Sequence, residues 1–321
     1  MGGALLEVRD LKTYFVSKQS TVKAVDGVDF SVSQGRVLCI VGESGSGKSV
    51  TSLSLMRLVQ GPQGRIVSGE VLLEGRDLLR MSERQMSDVR GNEIGMIFQE
   101  PMSALNPVMK IGDQIGEVLV RHRHISRREA REKAVELLRN VGLARADEMV
   151  HEYPHQLSGG MRQRAMIAMA MACQPKLLLA DEPTTALDVT IQAQVLDLMR
   201  ALQKETGTAI ILVTHDLGVV AEMADDVVVM YAGQIVESGP ADEIFDRPLH
   251  PYTRALMDSI PVIEEERERL RAIPGTVPSA AHFPEGCRFA DRCSLVEGRC
   301  RERLPELREL GPGHSVRCHL A

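Results

Sequence analysis

No tryptophan occurs in the 321 residues, and four tyrosines and six phenylalanines are the whole aromatic complement. No apolar run approaches the roughly eighteen residues that a membrane-spanning helix needs, so any work at a membrane is done from its side. Met1 to Leu11 carries acidic residues and lacks the apolar stretch of a signal peptide, which predicts a cytosolic chain. Positive charge is not in excess either. Against 44 acidic residues stand 38 Lys and Arg, for a net charge of -6, and this excludes broad electrostatic affinity for nucleic acid or an anionic lipid surface. Local clusters such as Arg121-His122-Arg123-His124 and Arg127-Arg128 are followed by Glu129 and Glu132 and read as a solvated helix face. Among six cysteines no Cys-x-x-Cys pair occurs.

What is present is organised around Val37-Leu38-Cys39-Ile40-Val41 and the loop Gly42-Glu43-Ser44-Gly45-Ser46-Gly47-Lys48-Ser49 that follows it. The apolar run reads as a buried strand, and the glycines after it as a turn that opens a helix. In such a loop successive backbone N–H groups turn inward on a polyphosphate near the positive end of the helix. Lys48 then reaches the β- and γ-phosphates, and the Ser49 hydroxyl binds Mg²⁺.

The rest of the chain fits an α/β protein. Leu5 to Phe15 and Val22 to Val32 alternate apolar with polar residues, as strands of a half-buried antiparallel sheet do. Phe15, ahead of Tyr14, is the candidate to stack on a nucleotide base, and a core position accounts for either ring equally well. Val50 to Val59 predicts a helix, Gly69 to Gly75 a strand with a turn, and Ile94 to Phe98 a strand that delivers Gln99 to its end before Pro101 and Pro107. Ile111 to Gly142 carries helical periodicity among many charges and predicts a helical insert. The turn Ser158-Gly159-Gly160 then opens a long helix, with Ser158 as its cap and backbone N–H groups exposed to an anion. Leu177 to Ala180 is a short buried strand that presents Asp181 and Glu182 at its carboxyl end, the edge where open α/β sheets bind ligands. Adjacent acids repel unless a cation or substrate uses them. Asp181 is assigned to Mg²⁺ and Glu182 to the attacking water. Ile191 to Gln203 predicts a helix, and the strand Ala209 to Thr214 brings His215 to the same edge as a γ-phosphate contact. A hairpin over Val227–Met230 and Gly233–Glu237 follows, and Asp242 to Phe245 starts a helix. Prolines 248, 251 and 261 and the charged run Glu264 to Arg269, read as an exposed helix, mark a change of composition.

With these residues placed, the chain resembles the nucleotide-binding subunit of ATP-binding cassette transporters over residues 5 to 245. The motifs stand in family order: phosphate loop 42 to 49, Gln99, signature Leu157-Ser158-Gly159-Gly160-Met161, Asp181-Glu182, Asp188 and His215. Ser158 to Arg164, Asp188 to Gln194, His250-Pro251-Tyr252-Thr253 and the cysteine tail narrow the resemblance to the subunit of bacterial dipeptide and oligopeptide importers often called the D component. Met161 stands where the wider superfamily most often has Gln.

The resemblance implies a P-loop NTPase cassette with an antiparallel β subdomain, an inserted helical subdomain over about 102–164 and a small cysteine-containing extension; the nucleotide-binding domain would span 1–250 and the extension 251–321. It implies ATP hydrolysis with Glu182, His215, Gln99 and Lys48 as catalytic groups. Nucleotide contacts would come from Phe15, Gly42, Ser44, Gly45, Gly47, Lys48, Ser49, Val50, Gln99 and Asp181. Ser158, Gly159 and Gly160 would meet the ATP on a partner cassette, and Ser49, Gln99 and Asp181 would hold Mg²⁺. The implied partners are a second ATPase subunit, with a heterodimer favoured, two membrane-spanning permeases and, through them, an extracytoplasmic binding protein. Nucleic acid is not among them, and the implied location is the cytoplasmic face of the cell membrane.

Cys287, Cys293, Cys300 and Cys318 cluster near the C-terminus, whereas Cys39 and Cys173 lie in apolar surroundings as core thiols. Clustered cysteines in a cytosolic chain point to metal before disulfides. The family resemblance implies a [4Fe-4S] cluster at these four, ahead of Zn²⁺ and of free thiols, as a staple for a tail with little core of its own. Two other functions compete: an ATPase of the same fold acting on nucleic acid or ribosomes, and a redox-sensing regulatory subunit. A single cassette, the lack of a long insert between Lys48 and Ser158, and the intact Glu182 and His215 weigh against them.

Overall fold

The computed structural model describes residues 3–59, 61, 63–100, 104–185, 187–259 and 273–321. Pro101, Ala186, Pro261 and the run Glu264 to Arg269 lie outside the described residues. In chain order the strands are β1 (Leu6–Val16), β2 (Thr21–Val32), β3 (Val37–Val41), β4 (Gly64–Leu73), β5 (Arg76–Asp77) and β6 (Ile94–Ile97). Then come β7 (Leu177–Asp181), β8 (Ala209–Thr214), β9 (Asp226–Tyr231), β10 (Gln234–Pro240), β11 (Arg308–Gly311) and β12 (His314–Val316). The chain forms two compact units, one of Met1–Ser33, Val37–Leu79 and Val213–Ala321, the other of Gln34–Arg36 and Arg80–Leu212.

In the first unit β2, β1, β4 and β5 form an antiparallel sheet in that order. Its inner face buries Leu6, Val8, Leu11, Val25, Val28 and Leu73, the outcome expected from alternation with a period of two. Gly69 lies inside β4 rather than at its start. At φ 113 its Cα comes so close to β1 that an added Cβ would stand 2.6 Å from the Cα of Leu11. A glycine that reads as punctuation is here a close approach of two backbones.

The same unit holds a mixed sheet. β3 pairs in parallel with β9, Cys39 opposite Val227 and Val41 opposite Val229; β10 runs antiparallel to β9, β12 to β10 and β11 to β12. All five residues of β3 are buried, as expected of a parallel strand covered on both faces. The helix Lys48–Leu55 follows the phosphate loop and is shorter than its apolar pattern predicts, because Arg57 turns left-handed at φ 52.

The second unit contains β6 and β7, paired in parallel from Ile94 opposite Leu177 to Ile97 opposite Ala180. It also holds the helices Ile111–Arg123, Arg127–Asn140, Gly159–Met171 and Val189–Thr206. The first two bury Ile111, Ile115 and Leu119, and Ala130, Ala134 and Leu138, rows at four-residue spacing that one helix offers the next. Glu83–Val89 is a helix that periodicity alone does not reveal. Its start is marked by a capping box in which Ser82 Oγ accepts from Gln85 N–H and Gln85 Oε1 accepts from Ser82 N–H. Cys173 in this unit and Cys39 in the first are both fully buried, and burial pushes both thiol pKa values up.

The C-terminal tail joins the first unit through more than its cysteines. β12 extends the sheet at β10, and Phe289 packs on Tyr231 and Tyr252 at ring-centroid distances of 5.2 and 5.4 Å. A buried carboxyl group ties three segments together: Glu237 accepts from the N–H groups of Leu249 and His250 at 2.7 and 2.9 Å, and meets His314 Nε2 at 2.8 Å. Removing an acceptor that serves buried donors strands those donors without water. Glu237→Ala is expected to cost on the order of 3 kcal/mol, with Glu237→Gln losing less because it keeps one acceptor oxygen. Thermal unfolding of the two variants tests this; equal midpoints for both and for the unaltered chain would contradict the tie.

Candidate functional site

In the first unit, β3 ends at Val41 and the loop begins at once. Gly47 adopts φ 103, and an added Cβ there would stand 2.3 Å from the carbonyl oxygen of Ala24, so only glycine fits. The loop wraps its own lysine. Lys48 is 5% exposed, and its Nζ donates to the carbonyl oxygens of Gly42 at 2.7 Å and Glu43 at 3.0 Å. Ser44 and Gly45 at the crest are exposed, while Ser49 and Val50 are half-buried in the first turn of the helix. The first N–H groups of a helix lack intrahelical partners, which gives this turn the donors and the partial positive charge that a phosphate needs.

Tyr14 and Phe15 on β1 are both half-buried. The hydroxyl of Tyr14 is committed to Asp26, which also accepts from Arg288. Burial by itself would raise the Asp26 pKa; the hydrogen bonds from Tyr14 and Arg288 outweigh it and hold the carboxylate low. Phe15 carries no polar atom on its ring. His215 is exposed and directly follows β8, at the start of the segment that returns to this unit.

The second unit carries the acids. β7 ends at Asp181, which is 5% exposed, and Glu182 follows with a left-handed backbone at φ 46. Gln99, just beyond β6, donates from Nε2 to Glu182 Oε2 at 2.9 Å, and Thr185 Oγ1 donates to the same oxygen at 2.9 Å. The parallel pairing of β6 with β7 is what brings Gln99 beside Glu182. Thr185 escapes the motif reading because a threonine in a loop carries no pattern of its own.

The signature residues sit at a separate helix start in the same unit. Ser158 Oγ caps the helix Gly159–Met171 by accepting from Met161 N–H at 3.3 Å. Nothing lies within 4 Å of where a Cβ on Gly159 would stand. Asp188 caps the next helix in the same way, accepting from Ile191 N–H at 3.0 Å.

In the tail of the first unit, Cys287, Cys293, Cys300 and Cys318 line one small cavity together with His250, Phe289 and His319. The N–H of Cys287 donates to the carbonyl of Cys300 at 2.7 Å. Burial, followed by the neighbouring thiols, pushes the Cys287 pKa up to about 11. None of the six cysteines is in a disulfide. Among the described residues no group of three or more His, Cys, Asp or Glu side chains is gathered as a metal-ion cage.

A family model described as "ABC transporter" matches residues 25–185, and one described as "Oligopeptide/dipeptide transporter, C-terminal region" matches residues 236–300. The oligopeptide transport ATP-binding protein AppD of Bacillus subtilis is 56% identical over 316 residues, 98% of this chain and 96% of that one. The dipeptide transport ATP-binding protein DppD of Escherichia coli is 48% identical over 316 residues, again 98% and 96% of the two chains. Among solved structures, the dimeric post-hydrolysis state of an ATP-binding cassette bound to ADP and Pi superposes with a TM-score of 0.66 at 26% identity, covering 74% of this chain and 98% of that one.

The loop geometry separates two glycines that look alike in sequence. Gly47→Ala must displace the backbone at Ala24, whereas Gly45→Ala meets nothing within 4 Å and bears only the strain of φ 79. Gly47→Ala is expected to weaken nucleoside triphosphate binding by at least about tenfold and Gly45→Ala by clearly less, since a left-handed alanine costs about 1 kcal/mol. Titration of each variant with a fluorescent ATP analogue measures both losses.

Proposed function

The chain belongs to the ABC transporter family, and on that premise we propose that it is the ATP-hydrolysing subunit of an importer for dipeptides, oligopeptides or related small solutes. The observation that carries the reading is identity of 56% and 48%, over nearly the whole length, to proteins named for oligopeptide and dipeptide transport. Both described relatives are named for transport, which gives the reading of an ATPase acting on nucleic acid or ribosomes no support. No helix among the described residues is long and apolar enough to cross a membrane. In this reading the subunit works from the cytoplasmic face of the membrane on two permease partners that supply the path, served outside by a substrate-binding protein, with a second cassette subunit completing the ATPase pair. Residues 1–250 form the nucleotide-binding domain, with the helical insert at about 102–164, and 251–321 form the extension.

In the proposed reaction Lys48 leaves its loop carbonyls for the β- and γ-phosphates, while the N–H groups of Gly42, Ser44, Gly45, Gly47, Lys48, Ser49 and Val50 cradle the phosphate chain and Phe15 stacks on the base. Ser49, Asp181 and Gln99 would hold Mg²⁺, which would neutralise phosphate charge. Catalysis is then positioning and charge stabilisation more than covalent chemistry. Glu182 accepts the proton of the attacking water as general base; its hydrogen bonds from Gln99 and Thr185 hold the carboxylate in one orientation. His215 contacts the γ-phosphate. Ser158, Gly159 and Gly160 present helix-start N–H groups to the ATP on the partner cassette.

The tail has the donor set of a [4Fe-4S] cluster: four soft thiols facing one cavity walled by Phe289. Such a cluster would be held by Cys287, Cys293, Cys300 and Cys318 and would brace the tail; Zn²⁺ is the lesser alternative.

Glu182→Gln in the membrane-extracted complex is expected to bind ATP and to lose turnover by two orders of magnitude or more, on the order of what general-base removal costs. Retained steady-state hydrolysis would rule out Glu182 as base, and failure of the chain to co-isolate with permeases would rule out transport. Cys293→Ser, purified without oxygen, is expected to lose absorbance near 400 nm (about where such clusters absorb) and its iron, with ATP binding retained; unchanged iron content would remove the cluster assignment.

A further inference from the structure

One contact joins the cysteine tail to the phosphate loop. Arg292 lies on the turn just before Cys293, 249 positions from Glu43, the second residue of the loop. Its guanidinium donates from Nη1 to Glu43 Oε2 at 2.6 Å and from Nη2 to Glu43 Oε1 at 3.0 Å. The arginine side chain is 4% exposed and that of Glu43 29%. Every other donor direction is also occupied. Nε donates to the carbonyl of Pro274 at 2.8 Å, Nη2 to that of Ile273 at 3.4 Å and Nη1 to Tyr231 Oη at 3.4 Å. The guanidinium carbon lies 5.7 and 6.0 Å from the ring centres of Tyr231 and Phe289. The hydrogen bonds to Glu43 raise the arginine pKa further above its ordinary value.

Glu43 is held from two further sides. Its N–H donates to Tyr252 Oη at 2.9 Å, and its carbonyl oxygen accepts from Lys48 Nζ at 3.0 Å. Side chain, N–H and carbonyl of one loop residue are thus fixed respectively by the tail, by the helix Pro251–Asp258 and by the phosphate-binding lysine. A bidentate, charge-assisted pair fixes direction as well as distance, and direction is what a row of backbone donors needs to meet a phosphate.

We propose that Arg292 is a positioning residue for the phosphate loop: by clamping Glu43 from the C-terminal tail, it holds the loop in the shape that receives the triphosphate and so sets the affinity for ATP. The inference rests on the reading of this loop as the ATP site. A pair that merely fastens the tail would lower stability without selecting for nucleotide affinity.

The test is ATP titration of the full chain with a fluorescent analogue, together with steady-state hydrolysis by the intact complex. Arg292→Gln and Glu43→Gln are each expected to weaken ATP binding about tenfold, on the order of a lost charge-assisted pair, and to raise KM by a similar factor with kcat within about twofold. The double variant should be no worse than either single one, the mark of two residues acting through one contact. Arg292→Lys should recover part of the loss. Unchanged affinity in both single variants, or losses that add in the double variant, would overturn the proposal. Should Arg292→Gln fail to fold, Glu43→Gln decides alone, because it alters only the loop. Lys48→Ala keeps the two readings apart. Undiminished ATP binding in that variant would remove the loop as the ATP site, whereas lost binding there beside unchanged Glu43→Gln would remove only the role of Arg292.

Discussion

A strand buried on both faces has one place to end, and in the first unit everything chemical starts from that point. β3 has no exposed residue along its five positions, and its parallel register with β9 fixes where Val41 stops. A slip of one residue would turn each side chain to the opposite face. The loop therefore leaves the sheet at a set position and direction. Gly47 then lies so close to the carbonyl of Ala24 on β2 that no side chain fits between them. Parallel pairing does the same in the second unit, where β6 and β7 end together and Gln99 meets Glu182.

Those arrangements were legible because they are local in sequence or repeat with a short period. Apolar runs announced β3, β6, β7 and β8, and the glycine spacing announced the loop. The acid pair announced the carboxyl end of β7. The helix Glu83–Val89 had its start written in Ser82 and Gln85, a signal of two residues that hydrophobic periodicity passes over. Gly69 misled because a glycine carries the same letter whether it turns a chain or admits a neighbouring backbone. Arg292 and Glu43 could not be paired by reading, since 249 positions separate them and an Arg–Glu contact has no pattern in one chain. Glu43 was visible only as an unassigned position within the glycine loop.

The tail also looks different once folded. Its cysteines suggested a segment that needs a staple because it lacks a core. In the structure Phe289 enters an aromatic group with Tyr231 and Tyr252, β12 extends a sheet, and Glu237 gathers donors from two other segments. Aromatics are scarce in this chain, and three of the ten meet here. The packing around the thiols thus involves the tail and the cassette strands at once.

The backbone of Glu182 has a consequence for anyone who would make this protein hardier. A glutamate at φ 46 occupies a region where glycine or asparagine rests more comfortably, and the difference is about 1 kcal/mol. Selection of substitutions by backbone comfort would therefore choose this position early and report success by melting temperature. The carboxylate that accepts from Gln99 and Thr185 would be the casualty, and both hydrogen bonds would be lost as heat resistance rose.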